Sequence, residues 1–300
     1  MTGLLCKFIE RRSVRIVSVL PVCCIKYVCN INISIMKPTL SLPVIMRRLI
    51  MVLPALFSCL FCYGQAELRP DFEKAVKLLR EENFREAEGA FSDVLGKATA
   101  DKLKKHCFIY RAFCYNGLGE YKKAVSDLDR AIALDASDLA SYIDRGKSKA
   151  YADDLEGAQK DFQYVLTKDS TEKQGQAALF YLARICGQQQ QFVQAVRYYD
   201  RCLSLDANDA EPYFNRGASK NMLMDLAGEI KDYDAAIRLN PDYKEAYANR
   251  GVAKINLLTG KGNLKPTKKQ TKEACEDLRK AKQLGDNAVD DMLFLYCDKE

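Results

Sequence analysis

The sequence is poor in the side chains that enzymes use for acid–base and metal chemistry. It contains one histidine, His106, and no tryptophan. A single histidine excludes a histidine-based metal cluster, and a Ser-His-Asp arrangement would have to use His106. The sequence has no GxxxxGK[ST] loop and no two CxxC motifs that would form a zinc ribbon. We therefore expect no enzyme activity, no cofactor and no metal site, and we expect His106 to be a surface residue.

The excess of positive charge is confined to the N-terminal part of the chain. The formal net charge is +6, but residues 1–65 hold eight Lys or Arg and one acidic residue. Residues 66–300 hold 38 basic and 39 acidic residues. The basic balance therefore gives no argument for nucleic-acid binding, and the larger part of the chain is a near-neutral sequence of mixed charge.

Residues 46–65 have the pattern of a secretory signal peptide. Two arginines after Met46 precede an uncharged apolar stretch, Leu49–Phe61, which is shorter than the roughly 20 residues of a membrane span. Cys62 and Gly64 provide small residues before a cleavage point. We expect an exported protein, periplasmic or associated with an outer membrane. An uncleaved membrane anchor and a lipoprotein attached at Cys59 remain the alternatives.

A signal peptide belongs at the start of a chain, and this one begins 45 residues in. The preceding residues 1–45 mix apolar and basic side chains without a clear period. We interpret them as an upstream extension that is not part of the natural protein, with Met46 or Met36 as the start. The alternative is a genuine basic and apolar extension.

The remainder of the chain repeats one phrase about every 34 residues. Tyr142–Ser170 and Tyr213–Pro241 share Tyr, Arg-Gly, Lys and a Lys-Asp-aromatic triplet, and Tyr247–Lys254 begins the phrase again. Phe108–Ala136 is a fourth copy, and weaker copies begin near Asp71 and Leu179. A fixed period of this length is typical of proteins built from stacked helix pairs.

The repeats resemble the tetratricopeptide repeat (TPR) family over roughly residues 68–285. The resemblance implies an all-α, right-handed superhelical solenoid of about six helix-turn-helix repeats, with an A and a B helix in each. The expected repeats start near residues 68, 105, 139, 176, 210 and 244, and a C-terminal cap helix follows in 286–300. The resemblance implies nothing definite about the bound partner.

Small and large residues alternate at fixed positions of the 34-residue repeat. Position 8 is always Ala or Gly and position 24 is always large, as close helix packing requires. Position 20 is alanine in five repeats and Glu229 in repeat five. We expect the neighbouring Ala227 or Gly228 to make the close contact there, through a small shift of register.

Arginine at position 7 and aspartate at position 23 occur together. Repeats two, three, five and six have both, whereas repeats one and four have neither. We therefore predict a ladder of Arg–Asp pairs between A and B helices that fixes register more than it adds stability. The alternative is that these arginines bind a ligand. The pairs are Arg111–Asp127, Arg145–Asp161, Arg216–Asp232 and Arg250–Asp277.

Two cysteine pairs are candidates for disulfides in an exported protein. Cys275 on the last B helix and Cys297 on the cap helix should be neighbours, and a bond between them would staple the cap. Cys186 and Cys202, in repeat four, are the second candidate. The alternative for both pairs is a pair of small apolar side chains.

By family resemblance, positions 2, 5, 9, 12 and 13 of the A helices face the concave side of the solenoid. We predict a groove there that binds a peptide or protein segment, because grouped exposed apolar residues mark interaction sites. The alternative is that its phenylalanines pack against adjacent repeats or under the cap. The predicted groove residues are Ile109, Phe113, Asn116, Ile143, Lys147, Tyr151, Phe180, Arg184, Phe214 and Asn221.

Repeat six contains a lysine-rich insertion, residues 258–272, between its helices. It suggests a second interpretation, in which the protein is a structural subunit of a cell-envelope complex that uses edge surfaces or this insertion. Our leading prediction is a non-catalytic scaffold or adaptor that binds a protein or peptide, with no nucleic acid and no small-molecule substrate.

Overall fold

The described part of the chain is entirely helical. A computed structural model describes residues 68–169, 173–260, 262 and 265–298. These residues contain thirteen α-helices, one short 3₁₀ helix and no strand. None of the helices found there has the length and apolar character to span a membrane. The predicted upstream extension and signal peptide, residues 1–45 and 46–65, lie outside the described residues.

Twelve of these helices form six consecutive A/B pairs. Each helix packs against the next one along the chain, and the A helices of several neighbouring repeats also touch. The expected all-α solenoid of about six helix pairs is confirmed. The pairs are α1 Arg69–Arg80 and α2 Phe84–Lys97, α3 Asp101–Gly117 and α4 Tyr121–Leu134, α5 Leu139–Tyr151 and α6 Leu155–Lys168, α7 Lys173–Gln188 and α8 Phe192–Leu205, α9 Ala210–Met222 and α10 Leu226–Leu239, and α11 Lys244–Thr259 and α12 Lys268–Gln283.

The alternation of small and large residues brings the two helices of a repeat close together. A Cβ atom added to Gly146 would lie 2.7 Å from the ring of Phe162, and one added to Gly217 would lie 2.9 Å from the ring of Tyr233. The phenylalanine ring is fully buried and the tyrosine nearly so. The large residue at position 24 therefore fills the space that the glycine at position 8 leaves open.

Glu229 occupies the small-residue position of repeat five without any shift of register. Its side chain is fully buried, while Ala227 is exposed. The expectation that Ala227 or Gly228 would make the close contact is therefore wrong. Asp225 accepts a hydrogen bond from the Gly228 N–H and caps α10 at the start that the other repeats use. Because this cap fixes the register of α10, the side chain of Glu229 is buried at the position that alanine occupies in the other repeats.

The turns between the A and B helices of repeats one to five share one conformation. The residue at position 15 has a positive φ in each, and the next N–H donates to a carbonyl five residues earlier, as in a Schellman motif. The five residues are Glu82, Gly119, Asp153, Gln190 and Met224, with φ between 58° and 72°. Because the backbone is shared, differences between these turns are differences of side chain.

The insertion of repeat six is partly absorbed by longer helices. Helix α11 continues to Thr259, and α12 starts at Lys268, where Thr267 and Gln270 form a capping box. Lys268, Lys269 and Lys272 therefore lie on the first turns of α12, where all three are exposed.

A terminal cap closes the last repeat. The 3₁₀ helix Asn287–Val289 leads into α13, Asp290–Tyr296. Val289 and Leu293 are buried against Leu278 and Ile255 of repeat six. The outer side of the cap leaves Phe294 largely exposed. The cap thus covers apolar side chains of the last repeat that no further repeat would cover.

Candidate binding site on the A-helix face

The four predicted Arg–Asp pairs lie at the seam between A and B helices. In repeat three, Nε and Nη2 of Arg145 donate to the two carboxylate oxygens of Asp161. The Nε–Oδ2 distances in the four pairs lie between 2.6 and 2.9 Å. The carboxylates are buried and the guanidinium groups partly buried, so these side chains face the seam rather than a ligand site.

Each of these arginines also holds the preceding repeat. The Nη1 atom of Arg145 donates to Asp129 on the previous B helix at 2.7 Å. Arg216 and Arg250 do the same to Asp200 and Asp234, also at 2.7 Å. In repeat two the acceptor is the Ser92 hydroxyl, at 2.9 Å. The sequence contains a signal for this contact at position 25, where the acceptor lies. In repeat three that position is Gln163, and the repeat that follows it, repeat four, is the one after repeat one that lacks the arginine.

The clamp of Arg145 raises the pKa of its guanidinium. Burial acts to lower that pKa, but hydrogen bonds to Asp161 and Asp129 outweigh burial. Lys149 adds a second cation to Asp161 at 2.9 Å, and Lys220 and Lys254 repeat this contact in repeats five and six. We call each group of one arginine, its seam aspartate and the acceptor on the preceding B helix a seam clamp.

The cysteines fall into one bonded pair and four free thiols among the described residues. Cys275 and Cys297 form a disulfide with Cα atoms 5.6 Å apart. Cys186 and Cys202 are free and buried, so the second candidate disulfide is not formed. Burial raises the pKa of Cys202 to about 11. Such a thiol stays protonated at neutral pH and is a poor nucleophile.

An open cavity of about 530 Å³ lies on the A-helix face between repeats four and six. That volume lies within the range of ordinary ligand pockets. Aromatic rings of Phe192, Tyr199 and Tyr233 form part of its lining. The rest is mainly uncharged and polar, with Gln188, Asn215, Ser219, Asn221, Asn249 and Asn256. Amide side chains both donate and accept hydrogen bonds, so this lining suits an extended peptide backbone.

Arg184 is the single ionised side chain among the described residues that line this cavity. It also lines a second, smaller cavity beside Lys147 and Tyr151. Its guanidinium carbon lies 5.8 Å from the ring centre of Phe180 and 5.9 Å from that of Tyr181. Two of the predicted groove residues, Arg184 and Asn221, therefore lie in the larger cavity, and Lys147 and Tyr151 lie in the smaller one.

The aromatic and aliphatic residues at position 5 do not line either cavity. Ile143 is buried in the core of repeats three and four. Phe180 packs edge-to-face on Tyr199, and Phe214 lies 4.8 Å from the ring of Tyr243. For Ile143 the prediction of a groove-facing side chain is wrong, and for the two phenylalanines the structure favours packing against neighbouring rings. The A-helix face was placed from the repeat pattern, but these side chains turn toward the B helices.

The remaining predicted groove residues belong to repeat two. Ile109 packs beside the buried Leu128, and Phe113 lies near Tyr110. The Asn116 amide donates to the Ser148 hydroxyl at 2.9 Å and so joins repeats two and three. These three side chains are partly buried and lie outside the two cavities described here.

Glu229 is a polar group near the cavity that sequence reasoning misplaced. Neither carboxylate oxygen has a hydrogen-bond partner among the described residues. Burial raises the pKa of this carboxyl, which the nearby Asn221 amide opposes and the negative charge of Asp225 reinforces. The signal in the sequence was its departure from alanine at position 20, but that departure alone did not indicate burial.

Comparisons with known proteins agree with the repeat pattern. A family model described as "Tetratricopeptide repeat" matches residues 111–138 and 177–209. A tetratricopeptide repeat protein from Parabacteroides merdae is 16% identical, with a TM-score of 0.54 over 84% of this chain and 97% of that one.

Two further solved structures have a similar fold. The C-terminal part of a TPR repeat-containing protein from Cytophaga hutchinsonii is 18% identical, with a TM-score of 0.55 over 76% of this chain and 96% of that one. MamA from Desulfovibrio magneticus is also 18% identical, with a TM-score of 0.50 over 62% and 97% of the two chains. At these identities the likeness concerns the fold alone. The family model thus identifies tetratricopeptide repeats in two stretches of the chain, and these structures show that the described residues have the stacked helix-pair fold of such repeats.

Proposed function

We propose that the protein is a non-catalytic adaptor that binds a peptide or extended protein segment in the cavity of repeats four to six. The observation that carries this proposal is the lining of that cavity, which combines four asparagines with three aromatic rings. Amide groups at helical spacing suit a peptide backbone, and the rings suit its side chains. TPR proteins are generally interaction modules, which supports the same conclusion.

The free thiols support a role other than catalysis. Cys107 and Cys114 are buried, and burial raises their pKa values to about 12 and about 11. His106, the one histidine, lies on the first half of α3, where its ring bonds to the Lys102 carbonyl. It is not among the residues that line the cavity of repeats four to six.

We also propose that the protein is exported. The proposal rests on the signal-like residues 46–65, and the disulfide between Cys275 and Cys297 supports it. Disulfides persist in oxidising compartments and are rare in reducing ones.

Affinity capture from a cell-envelope extract with paired variants tests the binding site. Ala218 lines the cavity, whereas Ala227 is exposed on α10 outside it. Ala218→Phe narrows the cavity, so we expect it to abolish capture, while Ala227→Phe leaves capture unchanged. Circular dichroism checks that both variants keep the helix content of the wild type. Equal capture by all three proteins would contradict a site in this cavity.

The second interpretation, a structural subunit that uses the lysine-rich insertion, is tested in the same experiment. Lys268, Lys269 and Lys272 are exposed at the start of α12 and can be reversed to glutamate. Loss of capture in this triple variant, with none in Ala218→Phe, would favour that interpretation. The cavity proposal predicts the opposite pattern.

A further inference from the structure

We infer that the segment bound in this cavity carries a carboxylate close to an apolar side chain. The inference rests on the proposed function and specifies the chemistry of the peptide. Two features of the cavity carry it: an arginine without an ion pair to any described residue, and a turn in repeat five that is more apolar and exposed than the equivalent turns of repeats one to four.

Arg184 differs from the arginines of the seam clamps. Arg111, Arg145, Arg216 and Arg250 each bind a buried aspartate. Arg184 is also partly buried, yet it forms no ion pair with any described residue. Its contacts are with the rings of Phe180 and Tyr181, which hold the flat guanidinium group but do not neutralise it.

The surroundings of Arg184 favour an anionic ligand. No carboxylate is among the described residues that line either cavity. The other cation in these linings, Lys147 in the smaller cavity, is already paired with Asp144 at 2.8 Å. A guanidinium group binds a carboxylate through two parallel hydrogen bonds, and partial burial strengthens such bonds. A carboxylate on the bound segment is therefore the complementary charge.

The apolar feature is the turn between α9 and α10, Met222–Met224. Met222 lines the cavity and is 59% exposed, Leu223 is 41% exposed and Met224 is 78% exposed. The equivalent turns of repeats one to four have polar or small residues at most of these places: Arg80–Glu82, Gly117–Gly119, Tyr151–Asp153 and Gln188–Gln190. We call Met222–Met224 the apolar rim.

The apolar rim leaves apolar side chains exposed in the unbound protein. Met224 has a φ of 60°, in the left-handed region that residues with a side chain rarely adopt, and its side chain is largely exposed. Glutamine takes the same conformation in repeat four, where Gln190 has a φ of 59°. The fold therefore does not require methionine here. Flexible methionines on a surface suit contact with an apolar side chain of a partner.

The carboxylate and the apolar side chain belong to one ligand because Arg184 and Met222 line one cavity. The asparagines that line the same cavity would bond to the backbone of the segment. The carboxylate can come from an aspartate or glutamate side chain or from the C-terminus of the segment. The chemistry is the same in both cases, and the experiment separates the two sources.

Synthetic peptide mixtures test the inference on the immobilised full chain. The first mixture contains nine-residue peptides with one Asp or Glu and one Leu, Met or Phe in a random Ala, Ser and Thr background, with amidated C-termini. A second replaces Asp and Glu by Asn and Gln, a third is the second with free C-termini, and a fourth is the first without the apolar residue. Retention of each mixture is measured by mass spectrometry.

We expect the first or the third mixture to be retained at least tenfold better than the second, because an ionic hydrogen bond to arginine is lost. Preference for the first identifies a side-chain carboxylate, and preference for the third identifies a C-terminal one. The fourth mixture should be retained severalfold less than the first. Equal retention of the first three mixtures would overturn the inference while leaving peptide binding in place. Retention of no mixture would overturn the proposed function as well.

Matched variants assign the two features to their residues. Arg184→Gln should abolish the preference for a carboxylate, whereas Arg201→Gln, which alters an exposed arginine on α8 outside the lining, should keep it. The triple change Met222→Gln, Leu223→Gln and Met224→Gln gives the turn the side chains that repeat four carries on the same backbone. It should abolish the preference for apolar residues and preserve that for a carboxylate. An unchanged preference in either case would overturn the corresponding half of the inference.

Discussion

Repeat three and repeat four are neighbours that join the array in different ways. Repeat three is held by a seam clamp, in which Arg145 binds Asp161 of its own B helix and Asp129 of the preceding one. Repeat four has Leu182 in place of the arginine, and that side chain is 1% exposed. It belongs to an apolar cluster that also contains Phe162 and Ile185.

The difference teaches that the charged clamp is replaceable as a source of stability. The free energy lost by removing two charges from water is nearly as large as the free energy gained from their attraction. An apolar cluster has no such desolvation penalty. A clamp is directional, however, because five donors on one guanidinium must meet acceptors on two helices. We infer that the clamps set the register between repeats, and that repeat four relies on shape for the same purpose.

The largest expected effect comes from breaking the clamp of repeat three. Asp161→Ala leaves Arg145 and Lys149 without the buried carboxylate that both contact. We expect a loss of about 3–5 kcal/mol in the free energy of unfolding, measured by urea denaturation.

The control for this variant gives repeat three the uncharged side chains that repeat four has at positions 7 and 23. Arg145→Leu with Asp161→Tyr reproduces the side chains Leu182 and Tyr198. The double variant should lose less stability than Asp161→Ala alone, because the arginine is removed together with its carboxylate and only Lys149 and the exposed Asp129 lose a partner. A double variant that is less stable than Asp161→Ala would contradict the view that an apolar junction can replace a seam clamp.

The apolar junction of repeat four should be sensitive to a cavity rather than to charge. Leu182→Ala removes a fully buried side chain from the cluster, so we expect a loss of about 3 kcal/mol. The loss should be the same at low and at high sodium chloride concentration, since no ion pair is involved. A loss that depends on salt would mean that the junction is not purely apolar.

The last repeat is followed by the cap instead of another repeat, and a disulfide links the two. Replacing Cys275 and Cys297 by serine removes a bond that closes a loop of sequence separation 22. We expect a loss of about 2–3 kcal/mol, together with faster hydrogen exchange in α13 than in α5. Unchanged exchange in α13 would contradict a role for the disulfide in holding the cap.

The smallest expected effect is a gain of stability on changing Glu229. Its buried carboxylate has no partner among the described residues, in contrast to the aspartates of the seam clamps. Burial raises the pKa of Glu229 in the folded protein above its ordinary value of 4.5. The folded state therefore binds more protons than the unfolded state as pH rises through this range, so the group lowers stability at neutral pH.

Glu229→Gln removes that cost and should raise the free energy of unfolding by about 1–2 kcal/mol at neutral pH. Below about pH 4 the wild-type glutamate is protonated in both the folded and the unfolded protein. The difference in the free energy of unfolding between the wild type and the variant should therefore disappear. Chemical denaturation of both proteins from about pH 3.5 to about pH 8 gives the measurement. A gain that is independent of pH would contradict the protonation argument.

The fold could be predicted from the sequence because the repeats serve as copies of one another. Arg145 and Asp161 could be paired from the repeat pattern alone, since repeats that lack one partner lack the other. Asp129 was missed because its carboxylate acts across a repeat boundary, where a correlation within single repeats does not reach. Hydrophobic periodicity and small-residue positions determine helix pairing, which is why the architecture followed from them.

The candidate site was less predictable, because it depends on how side chains turn within a known face. Phe180 was placed on the correct helix face, but its ring packs on Tyr199 rather than in the cavity. Glu229 was expected to shift away from a close contact, but its helix start is fixed by Asp225. The cavity itself forms between three repeats, and no single repeat contains a signal for it.

The central claim is that a segment of a partner binds in the cavity of repeats four to six, and site-specific photocrosslinking tests it most directly. Gln188 is exposed and lines the cavity, whereas Gln163 is also exposed, on α6, and lies outside the lining. Each is replaced in turn by benzoylphenylalanine, and the full chain is irradiated in cells. The account predicts a crosslinked partner from position 188 and none from position 163. Crosslinking from position 163 alone would contradict it.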